Sequence, residues 1–204
     1  MVNESDIFNN FTKFFQDAER LIHKNKVSID TDGKLNVLGD VVVKLEYTTH
    51  QSTGLPFGKL PVQFGTVSGT FSVAKTRLQS LAGAPVSVGG ICWISDNLLT
   101  SLEGGPQHIH HLLIMDNLPA LASLTGFPPD INTCRFTWLK DLPLLRLLQA
   151  KRLILSLEQQ GLLPSSPPKK CLEILNKYLP QGKRGMFDCQ KELEDAGFEE
   201  NARW

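Results

Sequence analysis

The 204-residue sequence has no apolar run near the roughly 18 residues that a membrane-spanning helix requires. It has no net charge either, because 21 Lys and Arg balance 21 Asp and Glu. No global field therefore draws it to nucleic acid or to an anionic membrane. Its opening Met1-Val-Asn-Glu-Ser-Asp6 lacks the basic and apolar regions of a signal peptide. The four cysteines, Cys92, Cys134, Cys171 and Cys189, are scattered and form no Cys-x-x-Cys pair. Without a secretory signal they read as reduced, mostly buried thiols of a cytosolic protein. There is no Gly-x-Ser-x-Gly, and Gly65 to Gly69 lacks the lysine of a phosphate loop. These absences leave no nucleophile or phosphate site and point away from an enzyme.

What is present suits one soluble domain with a sizeable core, since 41% of the residues are hydrophobic. Between Asp6 and Ile22 the apolar residues Ile7, Phe8, Phe11, Phe14, Phe15, Ala18, Leu21 and Ile22 recur at helical steps. This predicts one amphipathic helix with Ser5 as its N-cap, covering the open end of a core. Residues 27 to 37 alternate around Asp32-Gly33, the pattern of a hairpin.

The middle of the chain repeats. Val67-Ser-Gly-Thr-Phe-Ser-Val73 precedes Leu78-Gln-Ser-Leu-Ala-Gly-Ala-Pro85, and Val88-Gly-Gly-Ile-Cys-Trp-Ile94 precedes Asn97-Leu-Leu-Thr-Ser-Leu-Glu-Gly-Gly-Pro106. Ile109-His-His-Leu-Leu-Ile-Met115 precedes Asn117 and Leu121-Ala-Ser-Leu-Thr-Gly-Phe-Pro128. The closing prolines Pro85, Pro106 and Pro128 lie 21 and 22 residues apart. A looser copy starts at Val37 and another at Ile131. Strand, Asn, Leu-x-x-Leu and turn at this period predict a short, irregular leucine-rich-repeat-like solenoid of the α+β or α/β class. One repeat cannot bury its leucines alone, so the strands must stack into a parallel sheet. Asn97 and Asn117 are then placed to satisfy backbone groups of neighbouring turns. The domain plan is a capping helix over residues 1–26, hairpin and solenoid over 27–141, and a helical cap over 142–204. In that cap a helix should begin at Leu142-Pro143, with two more around Cys171 to Leu179 and Met186 to Phe198.

Particular residues also resemble a known group. Leu60-Pro-Val-Gln-Phe-Gly-Thr-Val-Ser-Gly69, Leu99-Thr-Ser-Leu-Glu-Gly-Gly-Pro106 and Leu142-Pro-Leu-Leu-Arg146 are similar to segments of leucine-rich-repeat-like accessory proteins of T-even-like tailed bacteriophages. So are Ile174-Leu-Asn-Lys-Tyr178, Gly182-Lys-Arg-Gly185 and the tail Ala196-Gly-Phe-Glu-Glu-Asn-Ala-Arg-Trp204. The resemblance covers about residues 30 to 204 and implies a phage protein working in the host cytoplasm. Small accessory proteins of such phages include inhibitors of host defence toxins, the anti-DarT factor among them. It implies a host protein as partner and carries over no binding residues. His110-His111 stands where the repeat has Gly-Gly, and Lys140-Asp141 replaces the usual Asn region.

Candidate sites follow from the repeat. Counting from Pro85, Cys92 and Ile94 face inward, while Ile91, Trp93 and Ser95 face out. With His111, Arg135 and Trp138 these outward residues form the expected partner face, because exposed Trp and Arg anchor interfaces. The competing reading has the aromatic residues packing on the terminal helices. His108 and His110 could begin a zinc or copper site, but no third ligand is in sight, so no metal or cofactor is expected. Asp96, Asp116 and Asp141 read as a solvated ladder at the repeat spacing rather than a catalytic pair. The short basic pairs Lys169-Lys170 and Lys183-Arg184 read as solvated, making nucleic acid a weaker partner and a metal-dependent enzyme weaker still. No membrane is expected.

Overall fold

A computed structural model describes residues 3–43, 47–48, 51–52, 58–156 and 166–204. The expected Leu162–Pro168 loop falls mostly outside these residues. The first helix is divided. Helix α1 (Glu4–Phe14) is followed by α2 (Ala18–His23), and Asn3 rather than Ser5 caps α1, its Oδ1 accepting from the Ser5 N–H at 3.1 Å. The interruption comes from a distant strand. Phe15 bridges Val43, the Gln16 N–H donates to the Val42 carbonyl at 2.7 Å, and Asp17 takes a positive φ. Helical periodicity cannot register such a long-range pairing.

The hairpin forms as the alternation requires, with β1 (Val27–Ile29) antiparallel to β2 (Leu35–Val37). Its connection is a five-residue loop in which Asp30 Oδ1 accepts from the Asp32 and Lys34 N–H groups, both at 2.9 Å. The chain continues through β3 (Val41–Val42), then a separate small hairpin of β4 (Tyr47–Thr48) and β5 (Gln51–Ser52). Next come β6 (Phe64–Val67), β7 (Phe71–Ser72), β8 (Ser87–Val88), β9 (Ile91–Trp93), β10 (His108–Met115), β11 (Asp130–Phe136) and β12 (Ala150–Leu155).

These strands build a β-solenoid-like parallel sheet. Each rung is one strand, or two short strands split by a bulge, and lies on the rung one coil earlier. Val37 pairs with Val67, Val67 with Val88, Val88 with Ile109 and Ile109 with Ile131. Between Phe64 and Ala150 the chain makes about four turns. The inward residue of every rung is buried, from Leu35 and Phe64 through Cys92, Leu113 and Cys134 to Leu153. Return segments add Leu78 and Leu81, Leu99 and Leu102, Leu121 and Leu124, as the repeat predicts. A row of aromatic rings links α1 to the first rungs: Phe15 lies 5.4 Å from Phe11 and Phe64, and Phe64 lies 5.5 Å from Phe71.

The bulge column explains the glycines. Three residues separate the paired positions on each side of it in the first rungs (38–40 and 68–70) and two where β10 meets the rung before it (89–90 and 110–111), whereas β11 has only residue 132. A Cβ on Gly89 would stand 2.2 Å from the Ser68 carbonyl oxygen, closer than any side chain tolerates. His110-His111 fills the same place in β10, where the register against β11 loses one residue.

The sheet runs further than its leucine pattern suggested. Leu142 does not begin an α-helix. Leu145–Gln149 is a 3-10 turn, and β12 then adds a rung parallel to β11. Leu-rich residues 142–148 have the spacing of a helix, but here Leu142, Leu144, Leu145, Leu147 and Leu148 fill the interior of the last turn. The expected helices follow as α3 (Pro167–Tyr178), a 3-10 turn over Leu179–Gly185, and α4 (Met186–Asp195). Helix α3 packs on β12.

Asn97 holds two coils together. It is 1% exposed. Its Nδ2 donates to the Val73 and Ile94 carbonyls at 2.9 Å, and its Oδ1 accepts from the Thr76 and Leu78 N–H groups at 3.2 and 2.9 Å. Asn117 does not repeat this role. It occupies the positive-φ position held by Asp96 and Lys75 one and two coils earlier, so Leu118 is the residue turned inward. Asn97→Ala strands the Thr76 and Leu78 N–H groups and the Ile94 carbonyl, since the Val73 carbonyl keeps the Thr76 hydroxyl, and is expected to cost about 3 kcal/mol, read as a lower urea midpoint. Asn117→Gly, which keeps the positive φ, should cost about 1 kcal/mol or less in the same urea titration. Gly89→Ala should lose about 1–3 kcal/mol through overpacking, read as a lower urea midpoint at unchanged slope.

Candidate functional site: the outer strand face

The outward residues of the rungs form two columns. Thr70, Ile91, Leu112, Thr133 and Arg152 follow one another across the strands, and beside them run Ser72, Trp93, Ile114, Arg135 and Ile154. Strand alternation puts carbon on this face because the partners of each inward residue must point away from the core. Trp93 is 39% exposed, Ile91, Leu112 and Ile154 are half-buried by their neighbours, and Ile114 is buried at 8%. Arg135 is fixed rather than free. Its Nε donates to Asp116 Oδ2 at 2.6 Å, and its Nη2 reaches the same oxygen. Asp116 is itself buried, and among the described residues its Oδ1 has no hydrogen-bond partner.

The expected acidic ladder is therefore absent. Asp116 is spent on Arg135, Asp96 Oδ1 accepts from Asn117 Nδ2 at 2.7 Å, and Asp141 stands exposed. Asp96 and Asp116 also differ in place: Asp116 shares its repeat position with Ser95, one residue before the positive-φ turn. Ser95 departs from expectation as well. It is 2% exposed, its hydroxyl donating to the Ile114 carbonyl at 3.4 Å and accepting from the Asp116 N–H at 3.0 Å. A hydroxyl short enough to bond the backbone of the next rung is drawn down onto it and does not reach a partner.

The structure separates the other expected residues. His111 is exposed at the bulge, beside His110, and both line a shallow groove with Ser68, Ser87 and Gly89. Strict alternation put them on opposite faces; the bulge turns both outward. His108 Nδ1 lies 3.3 Å from Asp130 Oδ2. Among the described residues no three His, Cys, Asp or Glu side chains gather as metal ligands. Trp138 belongs to the C-terminal helices rather than to the Trp93 face. Its ring packs partly buried against the core, and its Nε1, buried without a regular hydrogen bond, sits beside Cys171 of α3. Two features escaped the sequence reading. Leu112, Ile114 and Ile154 join the apolar face only through the register of β10 and β12. The Arg135–Asp116 pair depends on the same register.

The four thiols are buried and unpaired. Burial pushes Cys92, Cys171 and Cys189 from an ordinary 9.0 up to about 12, and the Trp138 N–H offsets a little of this at Cys171. Cys134 is raised too, first by burial and then by the Asp116 carboxylate. Such thiols are poor nucleophiles and poor metal ligands at neutral pH. On α3 and α4, Glu192 accepts from Lys177 Nζ at 2.5 Å and Tyr178 Oη at 2.6 Å, which holds its carboxyl below the ordinary range.

Compared with protein-family models, curated proteins and solved structures, the chain matches none. Fold and surface define a β-solenoid-like protein with a C-terminal helical layer and an apolar outer strand face.

The thiols supply a test. A thiol kept neutral by folding stabilises the native state fully below its unfolded pKa, and that contribution is lost as pH rises from about 9 towards 12. A thiol-reactive disulfide reagent at pH 8 should label none of the four cysteines until urea unfolds the chain. The urea midpoint should fall steadily above pH 9, and less steeply in a variant with all four cysteines replaced by Ala or Val.

Proposed function

We propose that this protein is a non-catalytic interaction module that binds a partner protein on the outer face of its strand columns. The observation that carries the reading is the run of Ile91, Trp93, Leu112, Ile114 and Ile154 on one side of the sheet, beside a pre-oriented Arg135. Carbon surface supplies the driving force. An arginine already held by Asp116 loses little side-chain freedom on binding, and its remaining N–H groups can meet a carboxylate or carbonyl. Arg152 and His111 add donors at the margin of the face. Ser95 and Trp138 take no part in it.

The resemblance to accessory proteins of T-even-like phages supports a finer reading. The partner is then a host protein, a defence toxin among the candidates, and the module acts in the host cytoplasm as an inhibitor by direct binding. The leucine-rich-repeat ancestry of the coils and a capping role for α1 and α2 belong to the same proposal. The 21- and 22-residue proline spacing supports the first, and the Phe11, Phe15 and Phe64 ring row supports the second.

Affinity capture from infected bacteria, compared between the wild type and the Trp93→Ala variant, tests the reading. One dominant host protein should be recovered, and Trp93→Ala should weaken its binding by about tenfold or more while costing about 1 kcal/mol or less in stability. Equal losses in binding and folding would make Trp93 a packing residue. Recovery of nucleic acid alone, released by moderate salt, would replace the reading with a nucleic-acid-associated role.

A further inference from the structure

A cavity of about 470 Å³ lies where the last coil meets the C-terminal helices, and no residue of the Trp93 face lines it. Trp138 and Lys140 follow β11, Lys170 comes from the first turn of α3, and Phe198, Glu199 and Asn201 come from the stretch after α4. Its volume is that of a small-molecule pocket.

The chemistry of the walls is specific. Because the Trp138 N–H is turned inward, beside Cys171, the indole offers the cavity only carbon. Phe198 adds a second, largely buried ring. Asn201 is 1% exposed and has spent both N–H groups, on the Leu139 carbonyl at 3.1 Å and the Leu142 carbonyl at 2.8 Å. No described residue donates to the Oδ1 of this buried, cavity-lining side chain. Lys140 and Lys170 are exposed and have no ion-pair partner among the described residues. Glu200 is held by Arg203 at 2.8 Å, so among the described residues of the lining Glu199 is the carboxylate without an ion pair against two ammonium groups, while Lys170 also borders a groove with Glu173 and Asp195. The N-terminus of α3 adds no donors. Pro167 and Pro168 have no N–H, and the N–H groups of Lys169 and Lys170 already donate to the Ser166 carbonyl.

We infer that this cavity binds a mononucleotide: a planar heterocycle against Trp138 and Phe198, an N–H donor to Asn201 Oδ1, and a phosphate between Lys140 and Lys170. A sugar or a neutral aromatic leaves the two ammonium groups unused, and inorganic phosphate leaves the carbon walls and the buried acceptor unused. Aromatic walls with a few convergent polar groups suit a base, and paired lysines suit a phosphate. A free nucleotide and a 5′-phosphorylated strand end share this chemistry.

Isothermal titration of the full chain with AMP, GMP, CMP and UMP, and with adenosine and inorganic phosphate, tests the assignment. At least one mononucleotide should bind about tenfold or more tightly than adenosine or phosphate. The Lys140→Glu/Lys170→Glu double variant should reduce that affinity by about tenfold or more at an unchanged Tm, while Trp93→Ala leaves it intact. A 5′-phosphorylated oligonucleotide that binds more tightly than any free mononucleotide, with the same dependence on Lys140 and Lys170, would assign the site to a strand end. Absence of binding by every nucleotide, phosphate binding as tightly as the mononucleotides, or full affinity in the folded double variant would overturn the proposal.

Discussion

The close approach of one coil's backbone to the next is the constraint on which this protein depends. Parallel rungs satisfy their N–H and C=O groups only on neighbouring rungs, so any coil that stands off leaves its neighbour with unpaired polar groups. At the bulge column the backbones come so close that Gly89 has no room for a Cβ beside the Ser68 carbonyl, and Gly69 has none beside Asp40 and Gly39. These glycines carry no chemistry. They allow the close approach of the early rungs, and the pairing continued through β10 and β11 brings Trp93, Ile114 and Arg135 side by side.

Hydrophobic stacking and buried polar bonding do different work in the coils. Leucines of the return segments fill the interior without direction, and one could be exchanged for another of similar volume. Asn97 is directional, because it closes the gap between two turns with four hydrogen bonds to the backbone. In the next coil Leu118 takes the equivalent place and Thr137 Oγ1 accepts from the Asn117 N–H instead. The repeat is thus irregular in its polar fastenings while regular in its apolar ones. The C-terminal tail is fastened in a third way, with the Leu144 and Leu145 N–H groups donating to the Asn201 and Arg203 carbonyls and Arg146 5.0 Å from the Trp204 ring.

The two surfaces proposed for binding differ physically. The strand face is open, apolar and served by a pre-oriented arginine, which suits a large partner whose own surface excludes water. The cavity beside Trp138 is small and concave, and it joins carbon walls to a buried acceptor and two cations. Trp138 belongs to the second because the chain leaves the sheet after β11 and passes under α3 before the last rung forms.

Legible in the residue order alone were the repeat, the inward positions of Cys92, Ile94 and the paired leucines, the hairpin near Gly33, and the helices α3 and α4. These are local or periodic features, and a period of 2, 3.6 or 21 residues is visible wherever one face must be buried. Features that depend on contacts between distant segments came with the fold. A bridge to Val43 broke the first helix, and β11 drew Ala150–Leu155 into a strand after a leucine-rich run with helical spacing. A bulge turned both His110 and His111 outward, and the next rung's carbonyl drew Ser95 down. Register between coils is set by backbone pairing across about 20 residues, and no local pattern encodes it.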